Sequence, residues 1–171
     1  DDEVVVDRLW ALGDPPFPIT ATASSGLAVT FASQTPGVCT VSGNMVTLAS
    51  GGLCTLRASQ AGDATYAPAP DVDKSFTVLL TQTITFDPLS NQVIGTPPFT
   101  ITATASSSLP VSFGASGVCG VNSTLVTLSG VLGTCTITAT QSGNAVYALA
   151  PDVARTFEVI PYKVLLPLIE R

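Results

Sequence analysis

Apolar and polar residues alternate with a period of two in short runs along the chain. In one such run, Ile19, Ala21 and Ala23 point to one side, and the threonines between them point to the other. This alternation is typical of a β-strand with one buried and one solvated face. Clusters of Gly, Ser and Asn separate the runs, and no segment keeps a helical period of 3.6 residues. The pattern predicts an all-β fold of short strands.

The sequence also repeats itself at a period of about 80 residues, which is too long for a helical solenoid unit and suits a small β-sandwich. Three pairs of segments match: 18–31 with 100–113, 36–72 with 116–153, and 74–78 with 155–159. The chain is therefore predicted to form two tandem immunoglobulin-like β-sandwiches, residues 1–80 and 81–160. An apolar tail, residues 161–171, follows them.

Several motifs carry a resemblance to a known family: QTITF at 82–86, and the segments ATASS, VCTVSG and APDV. They resemble bacterial immunoglobulin-like repeats that occur in tandem arrays in large secreted surface proteins. The resemblance implies a β-sandwich with a mechanical or adhesive role and no catalytic residues. Antibody-type domains carry a Trp on the third strand, whereas the only Trp here is Trp10, before the second strand. The likeness is therefore architectural and implies no antibody-like recognition.

Four cysteines stand at matching points of the two repeats, Cys39 and Cys54 in the first and Cys119 and Cys135 in the second. Their even number and placement predict one disulfide in each repeat, with buried free thiols as the alternative. Each bridge would close a loop of about 15 residues and stabilise its domain by roughly 3 kcal/mol. Disulfides place the protein outside the cytosol, at an extracellular or cell-surface location.

Catalytic and metal-binding chemistry finds little support in the sequence. The chain contains no His, which excludes Ser-His-Asp and Cys-His pairs, so we expect neither an enzyme nor a cofactor or metal. Asp71 and Asp73 could contribute to a calcium site, but the second repeat has Ala154 in the second position. The net charge of −6 and the scattered basic residues argue against nucleic acid. No apolar run is long enough to span a membrane.

The segments that follow the two repeats differ in an informative way. The first repeat runs into LLTQTITF, which opens the second, whereas the second runs into IPYKVLLPLIER. In register, residues 162–169 stand where the first strand of a further repeat would stand, and no such repeat follows. The first repeat begins with DDEVVVDRLWALG and lacks the QTITF strand. We therefore expect a spare strand at one end and an abnormal first strand at the other.

These expectations together predict a structural subunit whose copies polymerise head to tail into an extracellular filament. The tail would add as a strand to the first domain of a neighbour. The expected interface residues are Tyr162, Val164, Leu165, Leu166, Leu168 and Ile169 of the tail, and Val4, Val5, Val6 and Trp10 of the first domain. The alternative is a passive stalk or adhesin module whose tail docks on its own domain or on a cell-surface partner. A carbohydrate-binding module is a third class, which would need a cluster of exposed aromatic residues.

Overall fold

A computed structural model describes residues 9–162 of the chain. All regular secondary structure in this range consists of β-strands, which confirms the all-β class. No helix in the described part of the chain has the length and apolarity needed to cross a membrane. Contacts divide the chain into two units, hereafter the first and the second unit. The first comprises the chain up to Thr81 together with Asn144–Ala148, and the second comprises Gln82–Gly143 and the residues from Leu149 onward.

The described residues of the first unit form seven strands in two sheets. They are β1 (Trp10–Ala11), β2 (Phe17–Pro18), β3 (Thr30–Ser33), β4 (Cys39–Ser42), β5 (Met45–Leu48), β6 (Gly52–Gln60) and β7 (Ala69–Leu79). The larger sheet has the order β1-β7-β6-β3, and the smaller has the order β2-β5-β4. All pairings are antiparallel except that of β1 with β7, which is parallel.

In the second unit, the residues up to 162 form nine strands in three sheets. They are β8 (Ile84–Phe86), β9 (Gln92–Val93), β10 (Phe99–Thr100), β11 (Ala103–Ala105), β12 (Ser112–Gly117), β13 (Cys119–Asn122), β14 (Leu125–Leu128), β15 (Gly133–Thr140) and β16 (Val153–Ile160). Two sheets, β12-β15-β16-β9 and β10-β14-β13, correspond to those of the first unit. The third sheet pairs β11 with β8 in antiparallel fashion. The first unit has no such sheet among its described residues.

Burial along the central strands follows the alternation in the sequence. In β15, Cys135, Ile137 and Ala139 are fully buried, and the threonines between them are partly exposed. Because successive side chains of a strand point to opposite faces, each such strand covers the core with one face and meets solvent with the other. The predicted alternation is thus the pattern that the structure contains.

Each unit has its own hydrophobic core with an aromatic cluster. In the first unit the rings of Trp10 and Phe17 stack with centroids 3.6 Å apart, and Phe76 packs edge-on against Phe17. In the second unit Phe86, on β8, packs edge-on against Phe113 with centroids 5.5 Å apart. Separate cores mean that each unit buries its own apolar residues.

A glycine permits the tight turn that precedes β7. Gly62 has a φ of +73°, and a Cβ at this position would lie 2.4 Å from the carbonyl oxygen of Tyr66. Only glycine tolerates both the left-handed backbone and this close approach. The turn leads the chain from the end of β6 to the beginning of β7.

Candidate functional site

Both predicted disulfides are present, so the alternative of free thiols is wrong. Cys39 is bonded to Cys54, and Cys119 is bonded to Cys135. Each bond joins a strand of the smaller sheet to a central strand of the larger sheet, β4 to β6 and β13 to β15. The bonds therefore cross the cores of their units, where they restrain the separation of the two sheets.

The described residues hold few groups suited to acid–base or metal chemistry. They contain no group of three or more His, Cys, Asp or Glu residues that could hold a metal ion. Arg57 donates two hydrogen bonds of 2.8 Å to the carboxylate of Asp73, and its Nη1 lies 3.5 Å from Asp71. The hydrogen bonds from Arg57 hold the pKa of Asp73 below its usual value. The two carboxylates considered for calcium are thus already matched by a guanidinium group.

The first unit carries a cavity that is open to solvent, hereafter the open groove. Its volume is about 520 Å³, and it lies between the segment 21–25 and the adjoining ends of β6 and β7. Its walls contain no charged side chain and consist mainly of alanine, serine and other small residues. Tyr66, which is 49% exposed, stands at its edge. The groove is therefore a neutral, largely apolar channel at one end of the unit.

The second unit fills the corresponding place with strand β8. Residues 21–23 match β11 in the sequence repeat, but the structure assigns them to no strand. In the second unit, Ile84 of β8 lies opposite Ala105, and Phe86 lies opposite Ala103. Ile84 and Phe86 are 8% and 2% exposed, respectively. The open groove thus lies where a strand with two buried side chains completes the other unit.

The exposure of matched residues around the groove differs between the two units. Ala69, at the start of β7, is exposed, whereas its counterpart Ala150 is 1% exposed. Ala58, near the end of β6, is partly exposed, whereas its counterpart Ala139 is fully buried. The compared residues are all alanines. Their difference in exposure therefore arises from the surrounding structure and not from the size of the side chain.

A buried glutamine faces the open groove. Gln60 is 7% exposed and lines the groove, and no residue in the range 9–162 forms a hydrogen bond with its side chain. Its counterpart Gln141 is equally buried but accepts hydrogen bonds at Oε1 from Nε2 of Gln82, at 2.5 Å, and from the amide of Gly143. Gln82 also accepts a hydrogen bond from the hydroxyl of Ser107. The hydrogen-bond partner of Gln141 is therefore a residue that lies two positions before strand β8.

The structure places the expected interface residues in different surroundings. Trp10 is 6% exposed and lies in the core of its own unit, while Tyr162 is 74% exposed. The remaining expected residues lie outside the described residues: Val4, Val5, Val6, Val164, Leu165, Leu166, Leu168 and Ile169. Sequence reasoning missed the groove itself. The sequence carried no signal for it, because residues that line it, such as Ala58 and Ala69, have counterparts of the same type in the second repeat.

Comparisons with known proteins give only distant structural likenesses. No protein-family model matches the chain, and no curated protein is similar to it at a significant level. Among solved structures, the chain is similar to Drosophila N-cadherin EC1-4, with 9% identity and a TM-score of 0.36, over 90% of this chain and 47% of that one. The chain thus spans about half of the N-cadherin fragment.

Two further solved structures are similar to the chain at a comparable level of identity and TM-score. Domains 4 and 5 of the S-layer protein SbsC match with 18% identity and a TM-score of 0.34, over 94% of each chain. Human mucin-like protocadherin EC1-2 matches with 12% identity and a TM-score of 0.34, over 90% of this chain and 93% of that one. At these values the likenesses decide neither the detailed fold nor the function, and the argument that follows depends on the residues of this chain.

Proposed function

We propose that this chain is a non-catalytic structural protein of the bacterial cell surface or extracellular space. In this proposal its two units are immunoglobulin-like β-sandwiches. Copies polymerise head to tail, because the segment 162–169 of one copy is inserted as a strand into the first unit of the next. The product is a surface filament or pilus-like fibre.

The observation that carries the proposal is the apolar cavity that residues 21–23, the counterparts of β11, line in the first unit. This cavity has a volume of about 520 Å³. In the proposal, an extended segment of a second copy enters it by β-augmentation. The inserted strand pairs with the edge through its backbone and fills the channel with alternate side chains.

The segment 162–169 suits this role by its register and its composition. It stands in the repeat where the segment containing β8 stands, and five of its eight residues are Val, Leu or Ile. Burying such side chains fully contributes roughly 1.5–3 kcal/mol each, before the cost of ordering the segment. Pro167 lacks a backbone donor, so the inserted strand pairs at an edge or forms a bulge there.

The disulfides and the kind of interface support a fibre. Cys39–Cys54 and Cys119–Cys135 imply an oxidising compartment and strengthen both units. The donating segment and the accepting groove are different surfaces of the chain. Such a heterologous contact can continue from copy to copy unless its rotation closes a ring.

The test is deletion of residues 162–171. The truncated chain should fold, because the residues of both cores lie before residue 162, and it should stay monomeric in sedimentation velocity. The full chain under the same conditions should form species that grow with concentration, visible as filaments by electron microscopy.

Substitution of Tyr162 alone by Ser is a matched control, because it changes the exposed start of the segment and keeps its apolar residues. This variant should still assemble. If the truncated chain assembles as well as the full chain, strand donation is wrong, and a passive stalk or adhesin module becomes the better description.

A further inference from the structure

We infer that turn 63–67 in the first unit of one copy receives the end of the second unit of another copy, with Pro161 facing Tyr66. The inference rests on the proposed head-to-tail assembly, and it adds the place at which two copies meet before the donated segment begins. It follows from one pairing that the molecule contains and from two surfaces whose residues match the partners of that pairing.

Leu80 forms this pairing with turn 144–148, and both segments belong to the first unit. The amide of Leu80 donates a hydrogen bond of 2.8 Å to the carbonyl oxygen of Val146, and the amide of Ala148 donates one of 2.8 Å to the carbonyl oxygen of Leu80. Leu80 therefore lies parallel to the turn, opposite Tyr147. A turn of this shape thus binds an extended residue through its backbone.

Turn 63–67 is the counterpart of turn 144–148 in the sequence repeat, and the two turns have the same internal hydrogen bonds. In each turn the amide of the first residue donates a hydrogen bond of 2.9 Å to the carbonyl oxygen of the tyrosine. In each, the side chain of the first residue accepts hydrogen bonds from the amides of the third and fourth residues. The shape to which Leu80 binds is therefore present a second time in the chain.

The two turns differ in exposure. Tyr66 is 49% exposed, and Ala67 is exposed as well. Their counterparts Tyr147 and Ala148, which lie beside Leu80, are only partly exposed. The earlier turn is therefore accessible to a second molecule at the residues that its counterpart covers with Leu80.

The end of strand β16 carries the counterpart of Leu80. In the sheet registers β16 takes the place of β7, so Ile160 corresponds to Leu79. The next residue, Pro161, corresponds to Leu80. Leu79 is 8% exposed, whereas Ile160 is 40% exposed and Pro161 is exposed. Both partners of the observed pairing thus recur in accessible form, and a second copy brings them together.

One of the two backbone hydrogen bonds can recur in this contact. The amide of Ala67, the counterpart of Ala148, can donate to the carbonyl oxygen of Pro161 as Ala148 donates to Leu80. The second bond cannot form, because proline has no backbone N–H. The contact between copies therefore needs a further contribution from side chains.

Exposed apolar side chains beside Pro161 supply this contribution. Gly133 pairs with Val159, so the two residues before Gly133 lie next to the end of β16. They are Val131 and Leu132, which are 57% and 49% exposed. Together with Ile160 they form an apolar surface, hereafter the end patch. Burial of this surface against a second copy removes apolar area from water and favours docking.

The first unit shows that the position of Leu132 adjoins the docking residue. Gly51 has the corresponding place there, and a Cβ added to Gly51 would lie 2.7 Å from Cδ2 of Leu80. The large side chain of Leu80 thus packs on a glycine, whereas the smaller Pro161 is accompanied by the larger Leu132. Pro161 and the end patch therefore present one surface to a partner.

The charges of the two surfaces are complementary. Asp63 is the first residue of the earlier turn, and Lys163 follows Pro161 by two positions. The corresponding residues of the observed pairing, Asn144 and Gln82, are neutral. Opposite charges on two docking surfaces steer their encounter and help to fix the register. A second copy of this chain is therefore the partner whose chemistry fits the turn.

The docking place also leads to the open groove. Tyr66 and Ala67 belong to the lining of the groove. When Pro161 of a second copy lies opposite Tyr66, the segment that follows Pro161 begins at the edge of the groove. The pairing thus sets the point from which the donated segment of the proposed function starts.

A disulfide between copies tests the pairing directly. In the variant that combines Tyr66→Cys with Pro161→Cys, the new cysteines of two copies face each other. Facing residues of neighbouring extended segments lie about 5 Å apart, which is within the range of a disulfide. The four natural cysteines are already bonded. Mild oxidation of assembled protein should therefore give a ladder of covalent multimers on a non-reducing gel, and each single variant should give nothing larger than a dimer.

Two further cysteine pairs are the controls. Leu80→Cys with Tyr147→Cys should form a bond within one chain, because these residues face each other in the structure. Tyr66→Cys with Leu125→Cys should give no ladder, because Leu125 is 42% exposed but lies at the other end of β14 from the end patch. No ladder from Tyr66→Cys with Pro161→Cys, or a bond that closes within one chain, would overturn the inference.

The end patch is tested separately through the critical concentration for assembly. Leu132→Asp should raise this concentration at least tenfold, because the contact would bury a charge without a partner. Leu125→Asp is the matched control, at a residue of similar exposure, and should leave the concentration unchanged. Both variants should keep the circular dichroism of the natural chain. Equal critical concentrations for the two variants would contradict docking through the end patch.

Failure of this inference differs from failure of the proposed assembly. If deletion of residues 162–171 abolishes filaments but the variant with Tyr66→Cys and Pro161→Cys forms no ladder, strand donation stands and the docking place is wrong. If the natural chain stays monomeric at all concentrations and the cysteine variant forms no ladder, both are wrong. A ladder that persists without residues 162–171 supports the docking place and overturns strand donation as the cause of assembly.

Discussion

A single aspartate organises the turn beside the open groove. Oδ1 of Asp63 accepts hydrogen bonds of 2.8 Å from the backbone amides of Tyr66 and Thr65, and these bonds hold the pKa of Asp63 below its usual value. In the second repeat, Asn144 occupies the same position and accepts the corresponding bonds from the amides of Val146 and Tyr147. The two repeats thus build the same turn with an ionisable and with a neutral side chain.

This difference predicts that the carboxylate of Asp63 makes the stability of the folded chain depend on pH in the acid range. The substitution Asp63→Asn should remove this contribution. A carboxyl group with a lowered pKa in the folded state contributes stability above its unfolded pKa, near 4, and this contribution is lost as the pH falls through the folded pKa. Asp63→Asn should keep the turn and lose this contribution. Melting temperatures measured between about pH 6 and pH 2 should fall less steeply for this variant than for the natural chain.

Asn144→Asp is the reciprocal control and should add an acid-dependent contribution of the same sign. Equal acid slopes for the natural chain and Asp63→Asn would show that the carboxylate does not act in this way. Asp73, whose pKa Arg57 also lowers, is present in all three chains and contributes the same background.

Individual residues were predictable from the sequence to different degrees. The cysteine pairs could be assigned because their spacing recurs at matching points of the repeats. Trp10 could not be placed, because an apolar residue in an irregular segment does not show which core it joins. Its ring stacks on Phe17 in its own unit. The burial of Gln60 could not be predicted, because a glutamine in an alternating pattern is expected to face solvent.

At the scale of elements, the alternating pattern predicted most strands but not which edges they meet. Residues 19–23 alternate as clearly as residues 101–105, yet only the second run forms a strand, β11. Strand β11 forms its ladder with β8. Local pattern records the tendency of a segment to be extended, whereas the presence of a partner is a property of the whole fold.

The contribution of β8 to the second unit can be measured with Phe86→Ala. Phe86 is 2% exposed and packs against Phe113, so its truncation should lower the free energy of unfolding by about 3–5 kcal/mol. Urea unfolding followed by far-UV circular dichroism measures the change. Leu132→Ala, at a position that is 49% exposed, should change the same quantity by less than about 1 kcal/mol. A loss below 1 kcal/mol for Phe86→Ala would mean that β8 is not an integral part of this unit.

For the whole molecule, the two units are similar in sequence, but their described residues form different sets of strands. The core of the second unit includes Ile84 and Phe86 of its additional strand, and the described core of the first has no counterpart to them. The sequence showed the repeat, and with it a division of the chain into two parts. It could not show an open cavity, because a cavity depends on how backbone segments pass one another in three dimensions.

The fluorescence of the only tryptophan of the chain allows the unfolding of the first unit to be followed separately. Because Trp10 lies in the core of the first unit, its fluorescence reports the unfolding of that unit. In the chain that lacks residues 162–171, the fluorescence transition should occur at a lower urea concentration than the loss of circular dichroism from the second unit. In assembled material it should move to a higher concentration, since a bound strand stabilises only the folded state. The same midpoint in both materials would show that assembly does not involve the first unit.

The path of β7 has a consequence for how the protein folds. The open groove lies beside the start of this 11-residue strand, at Ala69, whereas the chain leaves the strand at Leu79, roughly 33 Å away. Gln82 lies three residues beyond Leu79 and can reach at most about 11 Å from it, so β8 cannot turn back and enter the groove of its own first unit. Tandem domains of similar sequence are prone to exchange segments while they fold. Here the short connection prevents that exchange within one molecule, so β8 can take part in the second unit but not in the first.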